Sequence, residues 1–166
     1  MGTMLHNEQS GSGQFEQARW QTPTTPFSMD PETGCIDFHE AHVTLFPAMP
    51  ETEFRNGCPN AEVVDAGHDD EWRRYSFRQR LHDEQYLGIT VYFREEKLKC
   101  VSFGYMPEAD ADWSKWSPER EQERAGKFQD ELTRQLGKIG SFAWGSANAG
   151  FDSKGGASSI WVVYAG

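Results

Sequence analysis

The sequence predicts an α+β fold, a single antiparallel β-sheet rich in meander connections with one main α-helix of the C-terminal half packed on one face. Three observations predict it. Apolar residues alternate through Leu87-Gly88-Ile89-Thr90-Val91-Tyr92-Phe93 and again from Leu98 to Tyr105, the period of two expected of strands with one buried side. From Ser117 to Leu136, Ala125, Phe128, Leu132 and Leu136 recur at helical spacing and form one narrow stripe, as in a helix lying on a sheet. Short apolar runs bounded by Gly and Pro supply further strands on either side.

The elements follow in order. Residues 1–26 are rich in Gln, Ser, Gly, Thr and Pro and read as a flexible N-terminal arm, with only Phe15 and Trp20 to anchor it. Residues 27–166 read as a single α+β domain. Asp30-Pro31-Glu32-Thr33-Gly34 is a turn signal that joins Phe27–Met29 to Cys35–Phe38 in a hairpin, because Pro presets the first turn position and Gly permits positive φ. Val43–Phe46 is a short strand stopped by Pro47 and Pro50. Residues 47–71 read as irregular, with Asn56-Gly57-Cys58-Pro59-Asn60 as a loop. Tyr75 and Phe77 mark a strand, and with the two central strands it makes three consecutive antiparallel partners, the last two joined by a turn at Arg94-Glu95-Glu96-Lys97.

Ser117-Pro118-Glu119 starts the helix: the Ser side chain accepts an orphan N–H, Pro loses no hydrogen bond at the first position, and Glu complements the dipole. Gly137 ends it. Glu123 with Lys127 and Asp130 with Arg134 are spaced for ion pairs on the wet side. Two last strands, near Ser141–Ala147 and Ser158–Tyr164, complete the sheet.

Composition narrows the function. A formal net charge of −10 and a pI near 4.9 repel phosphate backbones and anionic lipid and attract basic proteins, so neither direct nucleic-acid binding nor membrane binding is expected. No stretch is apolar enough to cross a bilayer, and Met1 to His6 with the polar residues after them show no basic region followed by an apolar run, so an untargeted chain is expected. Cys35, Cys58 and Cys100 are odd in number and without CxxC spacing, which points to reduced thiols and a cytoplasmic location. No cofactor-binding motif is present.

Several clusters carry possible chemistry. His39-Glu40-Ala41-His42 offers two imidazoles three residues apart, a metal spacing on a helix, but strand positions three apart face opposite ways, so no metal site is expected. In Asp65-Ala66-Gly67-His68-Asp69-Asp70-Glu71 a histidine lies among carboxylates that favour its protonated form. That pattern suits either an acidic partner-binding loop or an acid/base centre, and no nucleophile stands beside it. Gly150-Phe151-Asp152-Ser153-Lys154-Gly155-Gly156 lacks the order of a phosphate loop and precedes a strand, so it reads as a wide hairpin that projects Asp152 and Lys154. The basic run Trp72-Arg73-Arg74-Tyr75-Ser76-Phe77-Arg78-Gln79-Arg80 puts Trp72, Arg74, Ser76, Arg78 and Arg80 on one strand face, a chemistry shared by interfaces and by cross-strand ion pairs. Trp113-Ser114-Lys115-Trp116, just before the helix, serves either as an exposed anchor or as a staple to the sheet.

The last 50 or so residues, from the helix through Phe142-Ala143-Trp144-Gly145 to Asp152-Ser153-Lys154-Gly155-Gly156-Ala157-Ser158-Ser159-Ile160, resemble the ends of small bacterial proteins of the toxin-immunity type. The resemblance is one of pattern and carries over no functional residue. It implies a soluble cytoplasmic protein that binds and blocks a toxin without catalysis, and the acidic balance fits a basic secreted toxin as partner, met by a monomer or a dimer. The expected partner-binding residues are Asp65, His68, Asp69, Asp70, Glu71, Trp72, Trp113, Asp152 and Lys154. Two alternatives stay open: a secretion chaperone or adaptor that holds an extended segment, and a small enzyme using His68 and the nearby carboxylates.

Overall fold

The structure is a computed structural model that describes residues 25–64 and 71–166, with the backbone alone for 62–64. Strands β1 (Phe27–Met29), β2 (Ile36–Phe38) and β3 (Val43–Leu45) are followed by helix α1 (Glu51–Gly57) and by β4 (Glu62–Val64). Then come β5 (Trp72–Arg80), β6 (Gln85–Arg94) and β7 (Lys97–Pro107). Helix α2 (Pro118–Leu136) leads into β8 (Gly140–Phe142), β9 (Gly145–Asp152) and β10 (Ala157–Tyr164).

The strands form two sheets and not the single one expected. One has the order β1-β2-β3, the other β4-β5-β6-β7-β10-β9-β8, and every pairing is antiparallel. Each strand of the small sheet turns its first and third residues inward, so Phe27, Met29, Ile36, Phe38, Val43 and Leu45 make one apolar face. That face stacks on the large sheet. Alternation in sequence shows that a strand has a buried side, but not whether a helix or a second sheet covers it, which is why a single sheet was the simpler expectation.

Three bodies cover one face of the large sheet. The small sheet sits over its centre, where Phe27 and Phe38 meet the Phe103 ring edge-on at 4.9 and 5.0 Å between centroids. Helix α2 lies over β9 and β10 and brings Phe128 to 4.9 Å from Tyr105. At the other flank α1 inserts Phe54 between Tyr75 and Phe93, at 5.5 and 5.4 Å. The buried residues of all these elements form one cluster.

Helix α2 matches its sequence signals. Ser117 accepts a hydrogen bond from the Arg120 N–H at 3.2 Å, and Gly137 closes the helix in the left-handed region at φ 83°. Ala125, Phe128, Leu132 and Leu136 are buried, and Lys127 lies 3.8 Å from Glu123. Arg134, however, pairs with Glu131 and not with Asp130, because the guanidinium donates two hydrogen bonds to the Glu131 carboxylate. Two side chains sew the helix to its neighbours. Gln135 serves β1, accepting from the Met29 N–H (2.7 Å) and donating to the Phe27 carbonyl (3.1 Å), while the buried Glu121 carboxylate accepts the Ser158 N–H (3.0 Å).

Two further expectations change. Within residues 47–71, α1 and β4 form where irregular chain was expected. Helix α1 buries one large apolar residue, Phe54, too little for helical periodicity to register, and Glu51 N–H and Leu98 N–H bond across to Glu96 and Met49 carbonyls at 2.9 Å each. The strand expected over Ser141–Ala147 is broken at Ala143-Trp144 into β8 and β9, and β9 then runs on to Asp152. Trp144 causes the break by turning inward. Its ring lies on Gly34, where an added Cβ would stand 2.5 Å from the indole, and its Nε1 donates to the Pro31 carbonyl at 2.9 Å.

Phe103 joins the large sheet to two strands of the small one, so Phe103→Ala should cost about 3–5 kcal/mol of unfolding free energy in urea melts. Burial raises the phenol pKa of Tyr75, Tyr105 and Tyr164 above the ordinary 10.0, and the Glu51 carboxylate adds to the rise at Tyr75. Their protonated forms are favoured by folding, so this stability is complete below the unfolded pKa and falls as pH rises through and beyond it. In an ultraviolet titration these three tyrosines should ionise together with alkaline unfolding, and stability should be flat with respect to them at neutral pH.

Candidate partner-binding surface

Alternation along the strands that fill the core sends the remaining side chains to the opposite face of the large sheet. On β5 these are Trp72, Arg74, Ser76, Arg78 and Arg80, as the sequence predicts; on β6 Tyr86, Thr90, Tyr92 and Arg94; on β7 Cys100, Ser102 and Met106; on β10 Ser159, Trp161 and Val163. Both helices and the small sheet put their buried residues on the core side. The far face is therefore open among the described residues.

Its arginines are held in place. Arg94 stacks over the Trp72 ring at 5.5 Å and pairs with Glu71 at 2.9 Å, and Arg74 lies over Tyr92 at 6.0 Å. Arg80 pairs with Glu108 at 2.9 Å, while Arg78, exposed, stands between them. Arg73 points the other way, 3.5 Å from Glu51, whose carboxylate also accepts the Tyr75 hydroxyl at 2.6 Å. Ser76 and Thr90 hydroxyls share a hydrogen bond of 2.9 Å in the middle of the face. Trp161, 36% exposed, lies across Gly150, where a Cβ would be 3.6 Å from its ring, and Val163 beside it is 48% exposed.

The expected binding residues divide into separate places. Asp65, His68, Asp69 and Asp70 lie outside the described residues. Glu71 and Trp72 meet at one end of the open face, near a shallow cleft of about 340 Å³ that Val163 and Gly166 also line. Trp113, Asp152 and Lys154 gather at the other end. Trp116 donates from Nε1 to the Gly156 carbonyl at 2.7 Å, Trp113 lies 6.5 Å from Trp116, and the Asp152 carboxylate accepts the Lys154 N–H at 2.9 Å. Asp152 thus shapes its own turn while staying exposed. The two groups are separated by the length of the eight-residue β10, about 23 Å. Trp161 and Val163 were not among the expected residues. Their signal was present, since Ser158, Ile160, Val162 and Tyr164 take the core positions of that strand and leave both facing out.

Chemistry at the remaining candidates is limited to binding geometry. His39 lies 3.2 Å from Asp37, and Glu40 turns to His82, accepting its backbone N–H at 3.4 Å as well as meeting its imidazole. Among the described residues no group of three or more His, Cys, Asp or Glu converges as a metal site would. A groove of about 640 Å³ beside β5 is lined by Cys58, Pro59, Ala61, Phe77 and Gln79 among others. Burial raises the Cys58 and Cys100 thiols, which disfavours the thiolate that nucleophilic chemistry needs.

The described residues thus form a two-sheet α+β fold in which one face of the large sheet carries arginines and aromatic side chains. No protein-family model matches the chain, and no curated protein matches it. A chain from the solved structure of "Rhs1-CT in complex with cognate immunity protein RhsI1" is similar in fold, with a TM-score of 0.54 and 15% identity over 83% of this chain and 86% of that one. No helix among the described residues is long and apolar enough to cross a membrane.

The two tryptophans before α2 differ in what they touch. Trp116→Ala should cost about 1 kcal/mol through its lost hydrogen bond and its packing on Gly156. Trp113, 76% exposed, should change unfolding free energy by less than about 0.5 kcal/mol when replaced by Ala, as read in parallel urea melts.

Proposed function

We propose that this protein is an immunity protein, a non-catalytic binder that neutralises a toxin in the cytoplasm of the cell that makes it. The observation that carries the reading is the likeness of fold, over most of both chains, to a chain of a toxin–immunity complex. Fold alone does not assign function, and two features of this chain support the reading independently. One is an open sheet face furnished with Trp, Tyr and Arg, the residue types that dominate binding energy at protein interfaces. The other is a net charge of −10, which speeds encounter with a basic partner. In this reading the acidic segment Asp65, His68, Asp69, Asp70 and Glu71 steers the toxin in, and the aromatic groups at Trp72 and Trp113 take part in contact, with Asp152 and Lys154 beside Trp113.

The test is co-expression with the protein encoded beside this gene. Its toxicity to a bacterial host should vanish when this chain is present, and the purified pair should co-elute. Growth arrest that persists, with no complex formed, would defeat the reading. Asp69→Lys with Asp70→Lys should slow association about tenfold at low ionic strength and flatten its salt dependence, measured by stopped-flow fluorescence.

A further inference from the structure

The charges on the open face run against those of the chain as a whole. Across the sequence acidic residues outnumber basic ones, 26 to 16. Yet the open-face positions of the large sheet carry five basic residues, Arg74, Arg78, Arg80, Arg94 and Lys97, against two acidic ones, Glu62 on β4 and Asp152 on β9, placed there by register. Glu71 and Glu108 stand outside the strands and pair with the rim arginines, Arg94 and Arg80. Arg78 is exposed on β5 beyond the stretch that β4 pairs, with the hydroxyls of Ser76 and Thr90 beside it and the Trp161 ring on β10, three strands across from β5.

Such a row offers three kinds of contact in sequence: a guanidinium that takes a carboxylate in a fork, hydroxyls that serve backbone or side-chain partners, and a flat aromatic surface that takes an apolar residue. We infer that the open face of the large sheet is the docking surface, and that it seats a carboxylate-bearing segment of the toxin, with an acidic side chain on Arg78 and an apolar one on Trp161. The inference rests on the immunity reading and deepens it. It also divides the electrostatic work, since a long-range negative field sets the rate of approach while short-range cationic contacts set how long the complex lasts.

The experiment measures the dissociation constant between the full chain and the neighbouring-gene toxin for wild type, Arg78→Glu, Trp161→Ala and a control reversal, Lys127→Glu, on the exposed side of α2. Arg78→Glu and Lys127→Glu alter net charge equally, so a difference between them reports position and not overall field. Both replaced face residues are exposed, and circular dichroism of each variant checks that it folds. The expected result is a loss on the order of 100-fold for Arg78→Glu and a similar loss for Trp161→Ala, mainly through faster dissociation, with Lys127→Glu unchanged. Tight wild-type binding that both face variants retain would overturn the docking surface and leave the immunity reading standing. Failure of wild type to bind would remove both. A third arm titrates each protein with a fluorescent oligothymidylate; binding that Arg78→Glu abolishes would assign the face to single-stranded nucleic acid and overturn the acidic-segment assignment.

Discussion

A seven-stranded antiparallel sheet has two faces, and the apolar residues of this chain are placed to bury one. Everything else in the fold follows from how that face is covered. No single element is wide enough: α2 reaches β9 and β10, α1 reaches β5, and the gap over the centre is filled by the small sheet. Phe103 lies where those coverings meet, in edge contact with both Phe27 and Phe38. Because the three bodies share one cluster, the position of each depends on the other two. Among the described residues the large sheet is the element that touches all of them, and so it fixes which of its faces they leave uncovered.

Charge is distributed unevenly over the molecule. Negative charge is spread over turns, loops and the wet side of α2, where it acts through solvent at a distance and fades within a Debye length of roughly 8–10 Å. A part of the positive charge lies on β5, β6 and β7, where pleating holds the side chains in rows and stacking of Arg94 on Trp72 and Arg74 on Tyr92 limits their rotation. Arginines anchored in this way lose less conformational entropy on contact than unanchored ones would, which is how an ordered surface gains affinity without added area.

The helix was the most legible part of the sequence, since its cap, its stripe of Ala125, Phe128, Leu132 and Leu136 and its terminating Gly137 all carry local signals. The central meander was legible for the same reason, as was the split of β5 into a core side at Tyr75 and an open side at Arg74 and Arg78. What failed to register was decided by distant contacts. Helix α1 exists because Phe54 finds Tyr75 and Phe93, and the small sheet stands apart because its apolar face finds Phe103. The surface itself was half legible: Trp72 was singled out for its basic neighbours, whereas Trp161, in an uncharged strand, drew no attention until β10 was placed beside β7. Asp65, His68, Asp69 and Asp70 lie outside the described residues.

The clasp around Gly34 ties the two halves of the chain in a particular order of time. Trp144 covers Gly34 and bonds to Pro31, and the Tyr164 hydroxyl donates to the Gly34 carbonyl at 2.8 Å across 130 residues of sequence. During synthesis the first hairpin leaves the ribosome well before the residues that close over it, Tyr164 following Gly34 by 130 residues. At ordinary elongation rates that interval is on the order of ten seconds, and throughout it the apolar side of the hairpin has neither Phe103 nor the clasp to cover it until each is made. The apolar side of the hairpin is thus exposed to chaperones and proteases throughout that interval, and the clasp closes only when β10 arrives to complete both the core and, on its outer side, Trp161 and Val163. Closure of the hairpin turn and completion of β10 are one event.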